Sequence, residues 1–186
     1  MKAVRAAATI GVKHIVTAEG EPKTEYGHKL TDSEALFLIR DRLFEPLRMA
    51  EDLGVKILIE PHGKYSDSIP FMEKLFDACN SSALAFNMDT GNSWLGGTDP
   101  VAMVKKFGKK IEHVHWKDWA PEMKEVRGKQ FGAGMSITAL GSGVVDIKGV
   151  YQELARIGYN GYTTLEIAGD EAIKKSYAYL KSLGAE

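Results

Sequence analysis

Residues 111–118 read IEHVHWKD, and this stretch decides how the rest of the chain is interpreted. Its alternating pattern predicts a strand with His113, His115 and Lys117 on one face and the valine and tryptophan on the other. Two imidazoles that are two residues apart on a strand point the same way. The stretch therefore predicts a strand that can present nitrogen ligands to a metal ion.

The regions on either side of this strand alternate between apolar runs and amphipathic segments. The capping-box spacing at Thr31 and Glu34 marks the start of a long helix, and Pro46 inside it predicts a kink or break near Phe44. Glycine, proline and charged residues predict a loop at 20–29 and a polar segment at 121–143. Strands are predicted at 12–17, 55–60, 83–89, 111–118 and 162–167, and helices at 2–10, 31–53, 68–80, 99–107, 146–158 and 170–183.

Strict alternation of strands and helices indicates an α/β protein with a parallel sheet under a helical cover. Two architectures fit this pattern, an open doubly wound sheet and part of a (β/α)₈ barrel. No Gly-x-Gly-x-x-Gly motif follows a predicted strand, so the dinucleotide-binding form of the open sheet is disfavoured.

Length and composition predict one domain over residues 1–186, because 44% hydrophobic residues are enough for a sizeable core. A net charge of −1 gives no basic field for nucleic acid or an anionic membrane. The single cysteine, Cys79, excludes an intrachain disulfide framework and fits a reducing compartment. No apolar run approaches membrane-spanning length and no signal-peptide core is present, so a cytoplasmic location is expected.

Four predicted strands carry a carboxylate or an imidazole at or next to their carboxyl ends, where both architectures collect their functional residues. These residues are Glu60, Asp89, His115 and Glu166. Unpaired carboxylates are costly in a low-dielectric barrel mouth, and a divalent cation would remove that cost. Three carboxylates and one imidazole suit Mn²⁺ or Mg²⁺, and Co²⁺ and Zn²⁺ are also compatible with them.

The chain resembles the xylose isomerase-like TIM barrels of sugar phosphate isomerases and epimerases. The resemblance covers essentially the whole chain and depends on the order of several short motifs, each weakly specific alone. They are IEPHG at 59–63, MDTGN at 88–92, HVHWKD at 113–118, GSGVVD at 141–146, GYNGY at 158–162 and the pair Leu165-Glu166.

The resemblance implies a (β/α)₈ TIM barrel of which only the last five βα units are present. It makes Glu60, Asp89, His115 and Glu166 the metal ligands, with Glu60 and Glu166 as the catalytic acid–base pair. It implies a divalent-metal-dependent isomerase or epimerase that acts on a sugar, keto-sugar or sugar phosphate by proton transfer through a metal-stabilised enediolate. The alternatives are a keto-inositol or keto-sugar dehydratase or lyase on the same scaffold, and a truncated chain with a vestigial site.

Further polar residues near these ends are expected to face the substrate. Asn92 stands where the family's epimerases often have a histidine, and residues 119–121 stand where they often have an arginine, so the substrate is left open. The DNA-repair endonuclease branch is disfavoured, because its multi-zinc cluster needs additional histidines. The candidate substrate-binding residues are His62, Asn92, His113 and Lys117, with His113 one step deeper on its strand than His115.

A barrel with five of its eight units exposes two strand edges and part of its interior. We therefore expect self-association, or a partner that covers the opening. The expected ligand is a small carbohydrate, with no nucleic acid and no membrane as partner.

Overall fold

A computed structural model describes residues 1–19 and 29–185 of the chain. Residues 20–28 of the predicted loop lie outside the described residues. The described strands are β1 (His14–Thr17), β2 (Lys56–Ile59), β3 (Leu84–Asp89), β4 (Ile111–Trp116) and β5 (Tyr162–Leu165). The described α-helices are α1 (Lys2–Thr9), α2 (Asp32–Leu53), α3 (Ile69–Cys79), α4 (Thr90–Gly96), α5 (Pro100–Phe107), α6 (Ile147–Arg156) and α7 (Asp170–Leu183).

The five strands form one parallel sheet in the order β1-β2-β3-β4-β5. A doubly wound sheet reverses its strand order at a switch point, whereas a (β/α)₈ barrel adds each strand beside the previous one. The sequential order is therefore that of half a TIM barrel, and the predicted fold class is confirmed. Among the described residues, no helix combines the length and the apolar character needed to cross a membrane.

Helix α2 begins at the predicted capping box, in which Thr31 and Glu34 bond each other's backbone N–H groups. It ends at Gly54, whose φ of 63° lies in the left-handed region. The break that Pro46 predicts near Phe44 does not occur, since the helix continues through the proline. Buried residues on both sides of Pro46, including Leu47, hold the two parts of the helix against the sheet.

Helix α4 lies in the stretch 90–98, for which the sequence predicted neither a strand nor a helix. It starts at Asp89, whose carboxylate accepts a hydrogen bond from the Asn92 backbone N–H at 2.7 Å. A Cβ on Gly91 would lie 2.5 Å from Cγ of Lys117, so this glycine lets the helix pack closely against the lysine. Gly91 and Gly96 lie near the two ends of this helix. Glycine is a poor helix former, so the sequence does not predict a helix here.

An irregularity between β3 and β4 shapes the inner face of the sheet. Phe86 pairs with Ile111 but Asn87 pairs with His113, so Glu112 is an extra residue in β4. As a result the side chains of Glu112 and His113 both reach inner-face partners, although they are consecutive. The shift aligns the two histidines of β4 with the polar residues of β3.

The inner face carries polar side chains in three layers from the amino to the carboxyl ends of the strands. The outer face is apolar and packs against the helices through a core that includes Ile57, Phe86 and Val114. The lowest inner layer contains His14, Lys56 and Glu112; the middle layer contains Asn87, His113 and Thr164; and the upper layer contains Glu60, Asp89, His115 and Glu166.

Candidate metal centre

Four acidic or imidazole side chains meet at the carboxyl end of the sheet. Glu60 directly follows β2, Asp89 ends β3, His115 lies near the end of β4, and Glu166 directly follows β5. One donor atom of each residue lies within 4.8 Å of those of the other three. Parallel strands end at the same edge, so neighbouring strands bring their last side chains together. The structure thus brings together all four residues that the sequence predicts as ligands.

His115 lies at the centre of this group. Its Nδ1 atom is 3.0 Å from Glu166 Oε1, 3.4 Å from Glu60 Oε2 and 3.9 Å from Asp89 Oδ2. Burial lowers the pKa of His115, but its hydrogen bonds to Glu166 and Glu60, together with the charges of these carboxylates, have the larger, opposite effect. The pKa of His115 is therefore raised to about 9. This shift favours a protonated ring when no cation is bound, and Asn87 Nδ2 lies 3.1 Å from the same Nδ1 atom.

Two side-chain amides hold the Glu60 carboxylate. Asn87 Nδ2 donates to Oε2 at 3.1 Å, and Asn92 Nδ2 donates to Oε1 at 3.0 Å. Burial raises the pKa of Glu60, but the hydrogen bond and charge of His115 outweigh it and leave the pKa below its usual range. Glu60 is therefore ionised and fixed in orientation.

Asp89 is fully buried and bonded through both oxygens. Oδ1 caps helix α4 through the Asn92 N–H, and Oδ2 accepts a hydrogen bond from Lys117 Nζ at 3.0 Å. Burial raises the pKa of Asp89 to about 7, in spite of the opposing charge of Lys117. Asp89 thus connects the end of β3, the start of α4 and the candidate metal centre.

Lys117 places a buried ammonium group between two of the carboxylates. Its Nζ atom lies 2.5 Å from Glu166 Oε2 and 3.0 Å from Asp89 Oδ2, and the residue is 0% exposed. Burial lowers the pKa of Lys117, but the charge of Asp89 and the hydrogen bond to Glu166 raise it above its usual value. Burial likewise raises the pKa of Glu166, and its bonds to His115 and Lys117 lower it to about 2. Lys117 therefore remains charged and keeps Glu166 ionised.

The long segment between β4 and α6 covers this ammonium group. Ala133 accepts a hydrogen bond from Lys117 Nζ at 3.2 Å through its carbonyl, and its N–H donates to Asn92 Oδ1 at 3.2 Å. Further along, Ser136 forms an isolated parallel bridge with Ile167, just beyond β5. The segment thus crosses the upper edge of the sheet from α4 to the end of β5, and this crossing explains why Lys117 is inaccessible.

The donor set fits a divalent cation. Three carboxylates and one imidazole are the ligand types that hard and borderline divalent ions take in proteins. Two positive side chains, His115 and Lys117, already offset the carboxylate charge. Since an imidazole must be neutral to coordinate a metal, His115 would hold a cation in its neutral form.

The other predicted site residues lie at different depths. His62 is half-buried in the loop after β2, and a Cβ on Gly132 would lie 2.4 Å from its Nδ1, so the covering segment packs on the ring. His113 lies one layer below the cluster, where both ring nitrogens have protein partners, Asn87 and Thr164. Asn92 and Lys117 bond the carboxylates of the cluster directly.

Two buried residues were not identified from the sequence. Asn87 is 0% exposed and connects Glu60 to His113, and the signal for it was its position two residues before Asp89 on the same strand face. Asp118 is also 0% exposed and accepts backbone hydrogen bonds from residues 119, 141, 143 and 145. Its partners are distant in sequence, so only the structure reveals them.

Comparison with known proteins gives one family over nearly the whole chain. The family described as "Xylose isomerase-like TIM barrel" matches residues 1–183. A curated inosose dehydratase of Geobacillus kaustophilus is 28% identical over 167 residues, which cover 86% of this chain and 54% of that protein. Another from Clostridium beijerinckii is 30% identical over 185 residues, covering 91% of this chain and 62% of that protein. The chain therefore spans between half and two thirds of the length of these curated relatives.

Solved structures share the fold at lower identity. The IolI protein with a bound zinc atom superposes with a TM-score of 0.75 at 20% identity, covering 98% of this chain and 66% of that one. A D-tagatose 3-epimerase-like protein gives 0.74 at 22% identity, with 97% and 65% covered. The probable 3-DHS dehydratase AsbF of Bacillus anthracis gives 0.74 at 18% identity, with 100% and 68% covered. Each of these solved chains extends beyond the part that matches.

Proposed function

This chain belongs to the xylose isomerase-like TIM barrel family, and we propose that it removes water from a keto-inositol or keto-sugar with the help of a divalent cation. The cluster of Glu60, Asp89, His115 and Glu166 supports the cation, because four donor atoms lie within 4.8 Å of one another. The curated relatives named inosose dehydratase support this class of substrate and reaction.

Glu60, Asp89, His115 and Glu166 would hold the cation. When bound, a divalent cation supplies Lewis-acid polarisation of a carbonyl or hydroxyl oxygen. The metal is proposed as Mn²⁺ or Mg²⁺ from the oxygen-rich ligand set, with Co²⁺ and Zn²⁺ also compatible. The observation that supports the proposal most directly is the meeting of these four donor atoms.

Glu166 is the proposed catalytic base. Its side chain is 25% exposed, whereas that of Asp89 is 0% exposed, so Glu166 reaches the open side of the site. It is ionised at neutral pH and can accept the proton from the carbon beside the substrate carbonyl. The same carboxyl group can then give that proton to the hydroxyl on the next carbon, so hydrogen and hydroxyl leave together as water.

Lys117 and the two amides position these carboxylates. The buried ammonium holds Glu166 Oε2 at 2.5 Å, which leaves Oε1 directed toward His115 and the substrate side. Asn92 reaches Glu60 and also accepts a hydrogen bond from Lys117, so one connected set of bonds fixes both carboxylates. Fixed groups need no reorganisation during proton transfer.

Epimerisation or isomerisation is the second candidate. Glu60 and Glu166 come from β2 and β5 and approach His115 Nδ1 from two different strands, at 3.4 and 3.0 Å. Two carboxylates on opposite sides of one carbon can remove a proton from one face and return it to the other. This arrangement supports proton transfer without loss of water.

Solvent exchange tests the step that both candidates share. The protein with Mn²⁺ is incubated in D₂O with a keto-inositol and, separately, with a ketose, and proton NMR follows deuterium entry at the carbon beside the carbonyl. We expect deuterium entry together with loss of water from the keto-inositol. A new stereoisomer of the ketose without water loss would favour epimerisation, and absence of both deuterium entry and water loss with either substrate would contradict both candidates.

A further inference from the structure

A row of hydrogen bonds lies directly beneath the acidic cluster. Thr164 Oγ1 is 3.0 Å from His113 Nε2, and His113 Nδ1 is 2.8 Å from Asn87 Oδ1. Asn87 Nδ2 then lies 3.1 Å from Glu60 Oε2 and 3.1 Å from His115 Nδ1. These three residues, which we call the polar relay, connect β5, β4 and β3 in turn and end on a carboxylate that follows β2.

The Glu60 carboxylate determines the direction of the bonds that Asn87 makes. A carboxylate oxygen accepts hydrogen bonds, so Asn87 must present its Nδ2 amino group to Glu60 Oε2. Its Oδ1 atom is then an acceptor, and His113 must donate to it through Nδ1–H. The remaining nitrogen, Nε2, lies 3.0 Å from the Thr164 hydroxyl group, from which a neutral ring protonated on Nδ1 would accept.

The bond to Asn87 requires His113 to carry a proton on Nδ1. Asn87 is 0% exposed, so an amide rotated the other way would bury mismatched groups, a costly arrangement. Neither nitrogen of His113 is left for a metal ion or a substrate.

We propose that Asn87 and His113 are positioning residues that hold the Glu60 carboxylate in place for the cation, with Thr164 anchoring the outer end of the polar relay. The inference rests on the proposed cation site and adds residues that do not themselves touch the cation. Without Asn87, Glu60 keeps the Asn92 bond on Oε1, and its Oε2 keeps only the longer 3.4 Å contact with His115. A carboxylate held firmly at one oxygen can rotate about its last bond, and the position of Oε2 beside His115 is then less fixed.

The first test reads the tautomer of His113 directly, without metal or substrate. Long-range ¹H–¹⁵N NMR of the full chain distinguishes Nδ1–H from Nε2–H imidazole. We expect Nδ1–H for His113 in the wild-type chain and a shift toward the Nε2–H form in Asn87→Leu. An Nε2–H form in the wild-type chain would overturn the proposal, whether or not the chain binds a cation.

The second test measures Mn²⁺ affinity by isothermal titration calorimetry. We expect about a 10- to 100-fold loss for Asn87→Leu and His113→Leu, the usual cost of removing a group that orients a ligand. His113→Asn keeps a donor near the Nδ1 position and should lie within about 3-fold of wild type. Asn160→Leu, at an exposed position, is the matched control.

The two tests separate this inference from the proposed function. Wild-type affinity in both leucine variants, or equal losses in His113→Asn and His113→Leu, would overturn the polar relay. A wild-type chain that binds no divalent cation would overturn the proposed function, and the tautomer measurement would still decide the direction of the hydrogen bonds. Circular dichroism of each variant checks that its fold is retained.

Discussion

Single carboxyl groups in this protein differ widely in pKa because their surroundings differ. Glu166 has a pKa lowered to about 2 by its bonds to His115 and Lys117, which outweigh burial. Asp67 is buried with no cation bonded to it among the described residues, and burial raises its pKa to about 8. Two bonded cationic groups therefore lower the pKa of Glu166, whereas burial without such a bond raises that of Asp67.

Removing the charge of the two carboxylates proposed to be catalytic should abolish most turnover. Glu60→Gln and Glu166→Gln each remove a group proposed to accept a proton, and we expect kcat to fall about 10²- to 10⁴-fold. Steady-state assays with the substrate identified by the exchange experiment measure this loss. Glu171→Gln, at a side chain that is 79% exposed, is the control. Full turnover in both site variants would refute their assignment.

Asp67 should make the stability of the fold depend on pH. Its folded pKa of about 8 lies above the usual value of 3.8 for aspartate, so the folded protein binds this proton more tightly. The free energy of unfolding should therefore fall as the pH rises from about 4 to about 8, and each pKa unit corresponds to about 1.4 kcal/mol. Asp67→Asn should remove that part of the slope.

Urea unfolding at several pH values measures the effect of Asp67→Asn. Its control is Asp77→Asn, at an exposed position on α3, which should leave the slope of the wild-type chain unchanged. The same slope in the Asp67 variant and in the wild-type chain would show that Asp67 does not carry the buried proton.

At the scale of elements, one buried aspartate organises the connection between β4 and α6. Asp118 Oδ1 accepts hydrogen bonds from the N–H groups of Trp119 and Val145, and Oδ2 accepts from those of Gly141 and Gly143, all at 2.8–3.0 Å. A Cβ on Gly143 would lie 2.3 Å from Oδ1, so the turn needs glycine there. The Asp118 carboxylate thus accepts the backbone hydrogen bonds that a helix or a strand would otherwise satisfy in this turn.

Asp118→Ala should destabilise the fold more than loss of an ordinary helix cap. It leaves four backbone donors without their acceptor in a buried turn, and we expect a loss of roughly 3–5 kcal/mol in the free energy of unfolding. Asp146→Ala removes one capping bond at the start of α6 and should cost about 1 kcal/mol. Chemical denaturation compares the two variants, and equal costs would contradict the role given to Asp118.

At the scale of the whole molecule, the candidate metal centre joins the ends of four strands. Glu60, Asp89, His115 and Glu166 belong to β2, β3, β4 and β5 or directly follow them. A cation bound by all four connects segments that are separate in the sequence. Since the unfolded chain does not assemble this site, binding must stabilise the folded state.

Divalent cation should therefore raise the unfolding temperature. At a free concentration of about 100 times its Kd, a ligand of the folded state adds about 2.7 kcal/mol to the free energy of unfolding. Thermal unfolding with and without Mn²⁺ measures the shift, which should be reversed by EDTA. His115→Ala should lose most of it, and a full shift in that variant would place the bound cation elsewhere.

The edges of the sheet lead to a prediction about assembly. Among the described residues, β1 and β5 each pair with one strand only, and Tyr162 on β5 is 82% exposed while Val16 on β1 is 44% exposed. Unpaired edges that carry exposed apolar side chains favour association with another chain. We expect self-association in sedimentation velocity, weakened by Tyr162→Lys. Phe37→Lys, on the outer helix α2, is the control, and a monodisperse monomer at micromolar concentration would contradict the prediction.

The sequence alone determined the order of the elements and the residues at the ends of the strands. Apolar runs, capping residues and glycines act over a few positions, so their effect can be read locally. The parallel sheet followed from strict alternation, and the meeting of Glu60, Asp89, His115 and Glu166 followed from the common direction of parallel strands. Helix α4 was missed because its local propensity is weak and its packing on Lys117 is tertiary.

Only the tertiary structure decided how these side chains are bonded. The burial of Lys117 depends on a segment that returns from beyond residue 130, and the direction of the Asn87 amide depends on residues of three other strands. The extra residue at Glu112 aligns His113 with Asn87, an alignment that depends on strand register. Spacing along a strand predicts the face of the sheet on which a side chain lies. Its hydrogen-bond partners belong to segments that are far away in the sequence, so only the folded structure identifies them.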